Sequence, residues 1–307
     1  MANATVAVGT YAGEAARPYV AAAVLSADTI ANGYVSTIEN VHSKAVLRKF
    51  SGAAITAATC EFTGQGSLTL GEAVLEATAL QVNEQVCNKD LRATWEGMQM
   101  RGQSSNAPAD FTAFAAQYVA AKVAEGIELN LWQGNFDADV SGSATYTSFD
   151  GICQKLKAGY NAGTMQQLAG ATTASNILDR LAGLTAEAPS AIAGDPDAKI
   201  FMSRGSAQLY YQALADTYNQ PFLNDGLVAR YAGYDVVTPA GMPNDAFILA
   251  KAENLYFGTD LLTDHIQASV LDLTGVTGDD VTRIIMKFSG GTQVVDLASA
   301  GFAYRTS

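Results

Sequence analysis

The stretch that decides the fold is residues 109–132, ADFTAFAAQYVAAKVAEGIELNLW. Its apolar positions Phe111, Phe114, Ala115, Tyr118, Val119, Val123, Ile127 and Leu131 recur every three or four residues, which predicts a helix with one apolar side. The preceding loop, Ser104, Ser105, Asn106 and Pro108, offers Asn106 or Asp110 as a cap. A run to about Trp132 makes a helix about 30 Å long. No other helix in the sequence is so well marked.

Upstream, the pattern is of a different kind. Residues 51–71 alternate and break at glycines, with Ala54–Phe62 and Leu68–Leu70 as two strands around Gly64 and Gly66. A two-stranded ribbon is marginal alone in water, so it is expected to lie on a neighbour through Ile55, Phe62, Leu68 and Leu70. The Gly64, Gly66, Gly71 spacing is not the dinucleotide fingerprint, which needs a helix opening within the run. Ile38–Phe50 reads as a short amphipathic helix with Lys44 and Arg48 one turn apart. With Lys49 they are candidates for a weak DNA or subunit contact, against the plainer reading of a solvated face. Residues 1–35, rich in Ala, Gly, Thr and Val, read as an extended arm ending in a short helix, with little to pack on in its own chain.

Downstream, short helices and strands alternate. Phe149–Ala158, Ser175–Leu184 and Ser206–Tyr218 have helical periods, and Lys199–Ser203 reads as a strand. Further strands are expected at Asp235–Thr238, Ala246–Ala250, Ser269–Thr274, Val281–Phe288 and Val294–Leu297. The mixed order predicts an α+β protein, with no internal repeat and no low-complexity linker.

Composition narrows the function. The 307 residues are 49% hydrophobic and only 16% charged, which suits a subunit that hides much surface against partners. The net charge of −12 leaves no basic face or tail, which argues against sequence-specific DNA recognition. Cys60, Cys87 and Cys153 form no C-x-x-C pair, and His42 and His265 stand apart, so neither a disulfide framework nor a zinc site is expected. No phosphate loop, His-Glu-x-x-His or Gly-x-Ser-x-Gly motif is present, so no catalytic, cofactor or metal residue is assigned. Asn135, Asp137, Asp139 and Ser141 alternate as early calcium ligands do, but Val140 and Tyr146 occupy the positions where such a loop needs Gly and Glu; a polar turn is the better reading. The carboxylate pairs Asp195 and Asp197, Asp279 and Asp280, and Glu72 and Glu76 read as solvated charge. Trp95, Trp132, Tyr210 and Tyr211 read as core or interface anchors. No apolar run is long enough for a membrane span, and Met1–Ala16 lacks the build of a secretion signal.

Several stretches carry a resemblance. VNEQVCNKDLRATW (82–95), NLWQGNFDADVSGSATYTSFDGICQKL (130–156), KIFMSRGSAQLYYQALADTYN (199–219), YAGYDVVTPAGMP (231–243) and ENLYFGTDLLTD (253–264) resemble tailed-bacteriophage major capsid proteins of the Hong Kong 97-like fold. The resemblance covers nearly the whole chain. It implies an amino-terminal arm at 1–35, an extended loop and peripheral domain with the long spine helix at 36–145, an axial domain at 146–250, and a return to the peripheral domain with carboxy-terminal strands at 251–307. It also implies a structural protein, not an enzyme, that self-associates into pentamers and hexamers and encloses double-stranded DNA without sequence specificity. Portal, scaffolding and decoration proteins would be its partners, host cytoplasm its place of assembly, and the virion its destination. Many relatives carry a helical scaffold extension before the arm; with Met1 so near the arm, a separate scaffolding protein or none is expected. An encapsulin-like compartment shares the fold and is the alternative; a cytosolic enzyme or ligand-binding protein is a more distant one.

Overall fold

The computed structural model describes residues 8–12, 27–51, 69–87, 111–136, 146–159, 166–218, 230–260, 267–273 and 278–306. In chain order the elements are β1 (Val8–Ala12), α1 (Asp28–Ala31), β2 (Ser36–Ile38), β3 (Lys44–Ser51), β4 (Thr69–Glu76), β5 (Thr78–Cys87), α2 (Phe111–Gln133), α3 (Ile152–Gly159), β6 (Gln166–Ala169), α4 (Ile177–Ala186), β7 (Ala198–Met202), α5 (Arg204–Tyr218), β8 (Arg230–Tyr231), β9 (Tyr234–Val237), β10 (Ala246–Lys251), β11 (Leu255–Gly258), β12 (Gln267–Asp272), β13 (Val281–Val294) and β14 (Ala300–Thr306). The expected long helix is α2. It stops at Gly134 and Asn135, the latter in the left-handed region (φ 52°), a combination that ends helices because Gly and Asn tolerate that backbone. A close approach requires the glycine: a Cβ on Gly134 would lie 2.0 Å from the Phe149 carbonyl oxygen.

Two sheets and a ribbon make up the strands. The first sheet runs β1-β12-β13-β11-β2, with β5 also paired to β13; the second runs β6-β14-β10-β7-β9-β8; among the described residues β3 and β4 pair only with each other. Each sheet has its own core. Against the first pack α2 and α3, burying Ile127, Leu131, Trp132, Ile152 and Leu156 with Phe257 and Ile284. In the second, α4 and α5 bury Ile177, Leu181, Leu184 and Tyr210 with Ile200 and Leu249. Strand β10, buried on both faces, joins the two: Ile248 belongs to one core and Leu249 to the other. The sheets cut the chain differently from the four sequence spans, because the closing strand β14 pairs with β10 and β6 of the second sheet.

Two expectations are corrected. Ile38–Phe50 is not a helix: Ile38 ends β2, and Lys44–Phe50 lies in β3 after a short connection. Its apolar residues fit a helical period, but Lys44, Val46, Arg48 and Phe50 also alternate, and pairing with β4 selects the strand. The described strands of the ribbon are 44–51 and 69–76, so the second takes in Leu70 as expected, and the expected strand Ala54–Phe62 lies outside the described residues. Val294–Leu297 is not a strand. Strand β13 runs unbroken to Val294, and Asp296 then caps a 3-10 turn by accepting from the Ala298 nitrogen at 3.0 Å.

The arm is also less detached than expected. Strand β1 pairs antiparallel with β12, from Val8↔Leu271 to Ala12↔Gln267, while Ala27, Thr29 and Ile30 are buried. Thr29 is held by Glu128 of α2, a buried carboxylate that accepts from the Thr29 nitrogen at 2.9 Å and hydroxyl at 2.5 Å. The Trp132 indole donates to the same hydroxyl at 2.8 Å, and the Gly241 nitrogen reaches Glu128 at 3.4 Å. A buried carboxylate needs such donors to offset its lost hydration. They latch the root of the arm to α2 and to the 239–242 turn.

Candidate assembly surfaces

The β3–β4 ribbon has two unlike faces. In its antiparallel register Lys44 lies opposite Glu76, Val46 opposite Val74, Arg48 opposite Glu72 and Phe50 opposite Leu70. Strand alternation puts all eight on one face, so ion pairs and apolar pairs take turns along it. Val46, Phe50, Leu70 and Val74 are 51%, 67%, 46% and 40% exposed. Of the described large apolar side chains that are exposed, only Tyr211 lies elsewhere. The opposite face is anchored: Leu75 is fully buried against Gly258, where a Cβ would come within 2.6 Å of its Cδ2, and Lys49 forms an ion pair with Asp296. At the root, the Ala77 nitrogen donates to the Ser43 carbonyl at 2.8 Å and His42 meets Asp260 at 3.1 Å.

Of the four candidate ribbon contacts, Ile55, Phe62 and Leu68 lie outside the described residues, and Leu70 sits on the exposed face beside Phe50. Val46, Phe50 and Val74 were missed. Their signal was present in the alternation of 44–50 and 70–76, but it emerges only when the two runs are paired.

Lys44, Arg48 and Lys49 do not form one cationic patch. Lys44 is bound to Glu76 at 2.6 Å and Arg48 lies 3.7 Å from Glu72, while Lys49 points the other way to Asp296. The Lys44 ammonium holds the Glu76 carboxyl below its ordinary range.

The remaining candidates resolve into structural parts. Asn135 donates to Asp150 at 2.8 Å as part of the helix stop, and Asp137, Asp139 and Ser141 lie outside the described residues. Lys155, 2.9 Å away, holds the Asp150 carboxyl low against the opposing effect of burial. Asp195 pairs with Lys251, and Asp279 and Asp280 are exposed. Cys153 is buried, which pushes its thiol up, and Cys87 is exposed; Cys60, His265 and Trp95 lie outside the described residues. Trp132 and Tyr210 are buried and Tyr211 is exposed. Among the described residues no cluster of His, Cys, Asp and Glu could hold a metal ion, and no helix is long and apolar enough to cross a membrane.

No protein-family model matches the chain, and no curated protein sequence does. Solved structures match over nearly its full length. A chain of a satellite phage P4 procapsid, solved with the size determination (Sid) protein, is 15% identical with a TM-score of 0.60, over 94% of this chain and 90% of that one. The capsid of an empty GTA particle is 15% identical with a TM-score of 0.59, over 92% and 90%. A Gordonia phage Cozz chain is 9% identical with a TM-score of 0.56, over 91% and 87%.

Proposed function

We propose that this chain, which has the α+β Hong Kong 97-like capsid fold, is a major capsid subunit of a tailed bacteriophage and acts by self-association, not catalysis. The observation that carries the proposal is the ribbon face: four large apolar side chains stand exposed on a strand pair that, among the described residues, has no third strand. A surface of this kind on a monomer is an association site or an aggregation hazard. On this fold, it serves copies of the same chain. Residues 1–35 act as the arm, 36–145 as extended loop and peripheral domain, 146–250 as axial domain, and 251–307 as the return, whose closing strand β14 rejoins the axial sheet. Pentamers and hexamers close an icosahedral shell, which makes the virion the protein's destination and portal, scaffolding and decoration proteins its partners.

Sedimentation of the purified chain tests this. Particles of many subunits that protect nuclease-resistant DNA when isolated from infected cells support it. A species no larger than the 32.0 kDa chain, at all protein concentrations and with a retained small ligand, overturns it. Particles filled with a protein cargo instead of DNA would support the encapsulin-like compartment.

Packaged DNA is held by confinement and few local contacts. The chain carries −12, and the three cations nearest the ribbon already face carboxylates, so few are free to displace counterions from phosphate. Unassembled subunit is expected to bind duplex DNA only weakly at physiological salt; nanomolar binding contradicts this.

The shell is also expected to be non-covalent. An isopeptide link between subunits requires an unprotonated lysine amine on the loop, and residues 51–71 contain no lysine. The flanking Lys44 and Lys49 are already engaged by the Glu76 and Asp296 carboxylates. Particles boiled in detergent and reductant should run as one band near 32.0 kDa, and a surviving ladder of multiples contradicts this.

A further inference from the structure

We propose that Asn32–Gly33 is a covalent modification site, where the Asn32 side chain is converted to a carboxylate by spontaneous ring closure, and that the latched turn around it sets the rate. The proposal goes beyond self-association and does not rest on it. Of all the asparagines in the chain, only Asn32 precedes a glycine. In the reaction the Gly33 backbone nitrogen, once deprotonated, attacks the Asn32 side-chain carbonyl carbon. A new N–C bond forms, the bond to Nδ2 breaks, and ammonia leaves with a proton that replaces the one the Gly33 nitrogen gave up. Water then opens the five-membered imide at either carbonyl, giving aspartate or isoaspartate. A glycine in the second position favours the attack, because it has no Cβ to block the close approach.

The site is accessible but held shut. Asn32 and Gly33 are both exposed, and a Cβ on Gly33 would meet nothing within 4 Å. Closure requires the Gly33 nitrogen to swing over the Asn32 Cβ, and at a ψ of 0° for Asn32 it is turned well away. The same nitrogen is engaged, donating to the Ile30 carbonyl at 3.1 Å. The Asn32 side-chain amide donates to the Asp28 carbonyl at 2.8 Å and to the Asp28 carboxylate at 2.9 Å. All these acceptors belong to α1, a helix of four residues, too short to hold without tertiary contacts. Those contacts are the Thr29–Glu128 latch and Asp28, whose carboxylate accepts from the Ala240 nitrogen at 3.3 Å and lies 3.6 Å from Arg204. Ring closure therefore waits on the opening of this turn.

The product weakens the turn that delayed it. A carboxylate at 32 loses both donated hydrogen bonds and stands one helical turn from Asp28, a like-charge pair. Isoaspartate also lengthens the main chain where Gly33 enters the left-handed region (φ 67°).

Peptide mass spectrometry on the unassembled chain, kept folded in mildly alkaline buffer, tests the proposal. The peptide containing Asn32 should convert slowly in the wild type and far faster in urea. In Thr29→Val and in Asp28→Ala, which free the turn in different ways, it should convert several-fold faster than in the wild type. Asn32→Asp, standing in for one product, should speed amide exchange at residues 28–34. An intact Asn32 amide in the wild type and both variants, after storage long enough for the unfolded chain to convert fully, overturns the site. Conversion at one rate in all three overturns control by the turn. Unchanged exchange in Asn32→Asp overturns the weakening. Because the chain is unassembled throughout, none of these failures touches the self-association reading.

Discussion

Replacing Val46 and Phe50 with glutamine should abolish particle formation at concentrations where the wild-type chain assembles, while leaving the folded subunit intact. Both side chains are more than half exposed, so they contribute little to the stability of the isolated chain, and exposed substitutions usually change it by no more than about 0.5 kcal/mol. If assembly covers the half to two thirds of each that is exposed, each contributes about 1–2 kcal/mol of apolar burial. Losing both weakens every subunit's contact by about 2–4 kcal/mol, which raises the concentration needed for assembly by a factor of about 30 to 10³. Leu47→Gln, on the anchored face of the same strand, serves as the contrast, because it should lower the unfolding midpoint instead. Closed particles from the Val46 and Phe50 variant at wild-type concentration would remove the ribbon face from the assembly account.

The second large effect lies at the root of the arm. Trp132→Ala should cost about 3–5 kcal/mol, the range for truncating a fully buried aromatic side chain, a large share of the stability of a domain worth about 5–15 kcal/mol. The loss comprises the contact with Phe201, at 5.3 Å between ring centres, and the hydrogen bond to Thr29. Thr29→Val, which keeps the shape but withdraws the hydroxyl from Glu128 and Trp132, should cost about 1–3 kcal/mol. Urea melts with an unchanged slope and a lowered midpoint would show both; wild-type midpoints would mean the latch does not hold the arm root. The latch also dictates how the arm is tested. Removing residues 2–26 spares Thr29 and should yield a folded subunit that fails to close shells, whereas a cut through Thr29 damages the fold as well.

The long helix was legible because its signal is local: eight apolar positions at one period, a cap before them, and Gly134 and Asn135 after them. The same holds for α4, α5, β7 and β10, each of which carries its own pattern within one short window. The ribbon was legible only in kind. Residues 38–50 satisfy two periods at once, and the partner that decides between them, 69–76, is far along the chain, so a helix is the local reading and pairing makes most of it a strand. Strand β14 was missed because AGFAYRT has no alternation; it is buried on both faces between β10 and β6, and a run of that kind gives no period. The Glu128 latch was invisible for another reason. A glutamate at that point in a helix looks like ordinary surface charge, and only the approach of Thr29 and Gly241, 99 and 113 residues away in sequence, makes it a buried acceptor. Of the four candidate contact residues, Leu70 can be located on the exposed face; the rest of that face became readable once Val46 and Val74, and Phe50 and Leu70, were seen to be opposite one another.

The most direct test of the central claim is negative-stain electron microscopy of the purified protein across a range of protein concentrations. The account predicts closed polyhedral shells of uniform size, built from rings of five and six subunits, with loose rings or single subunits for the Val46 and Phe50 variant. Uniform small particles of one or two chains from the wild-type protein, under every condition in which it stays folded, would contradict it.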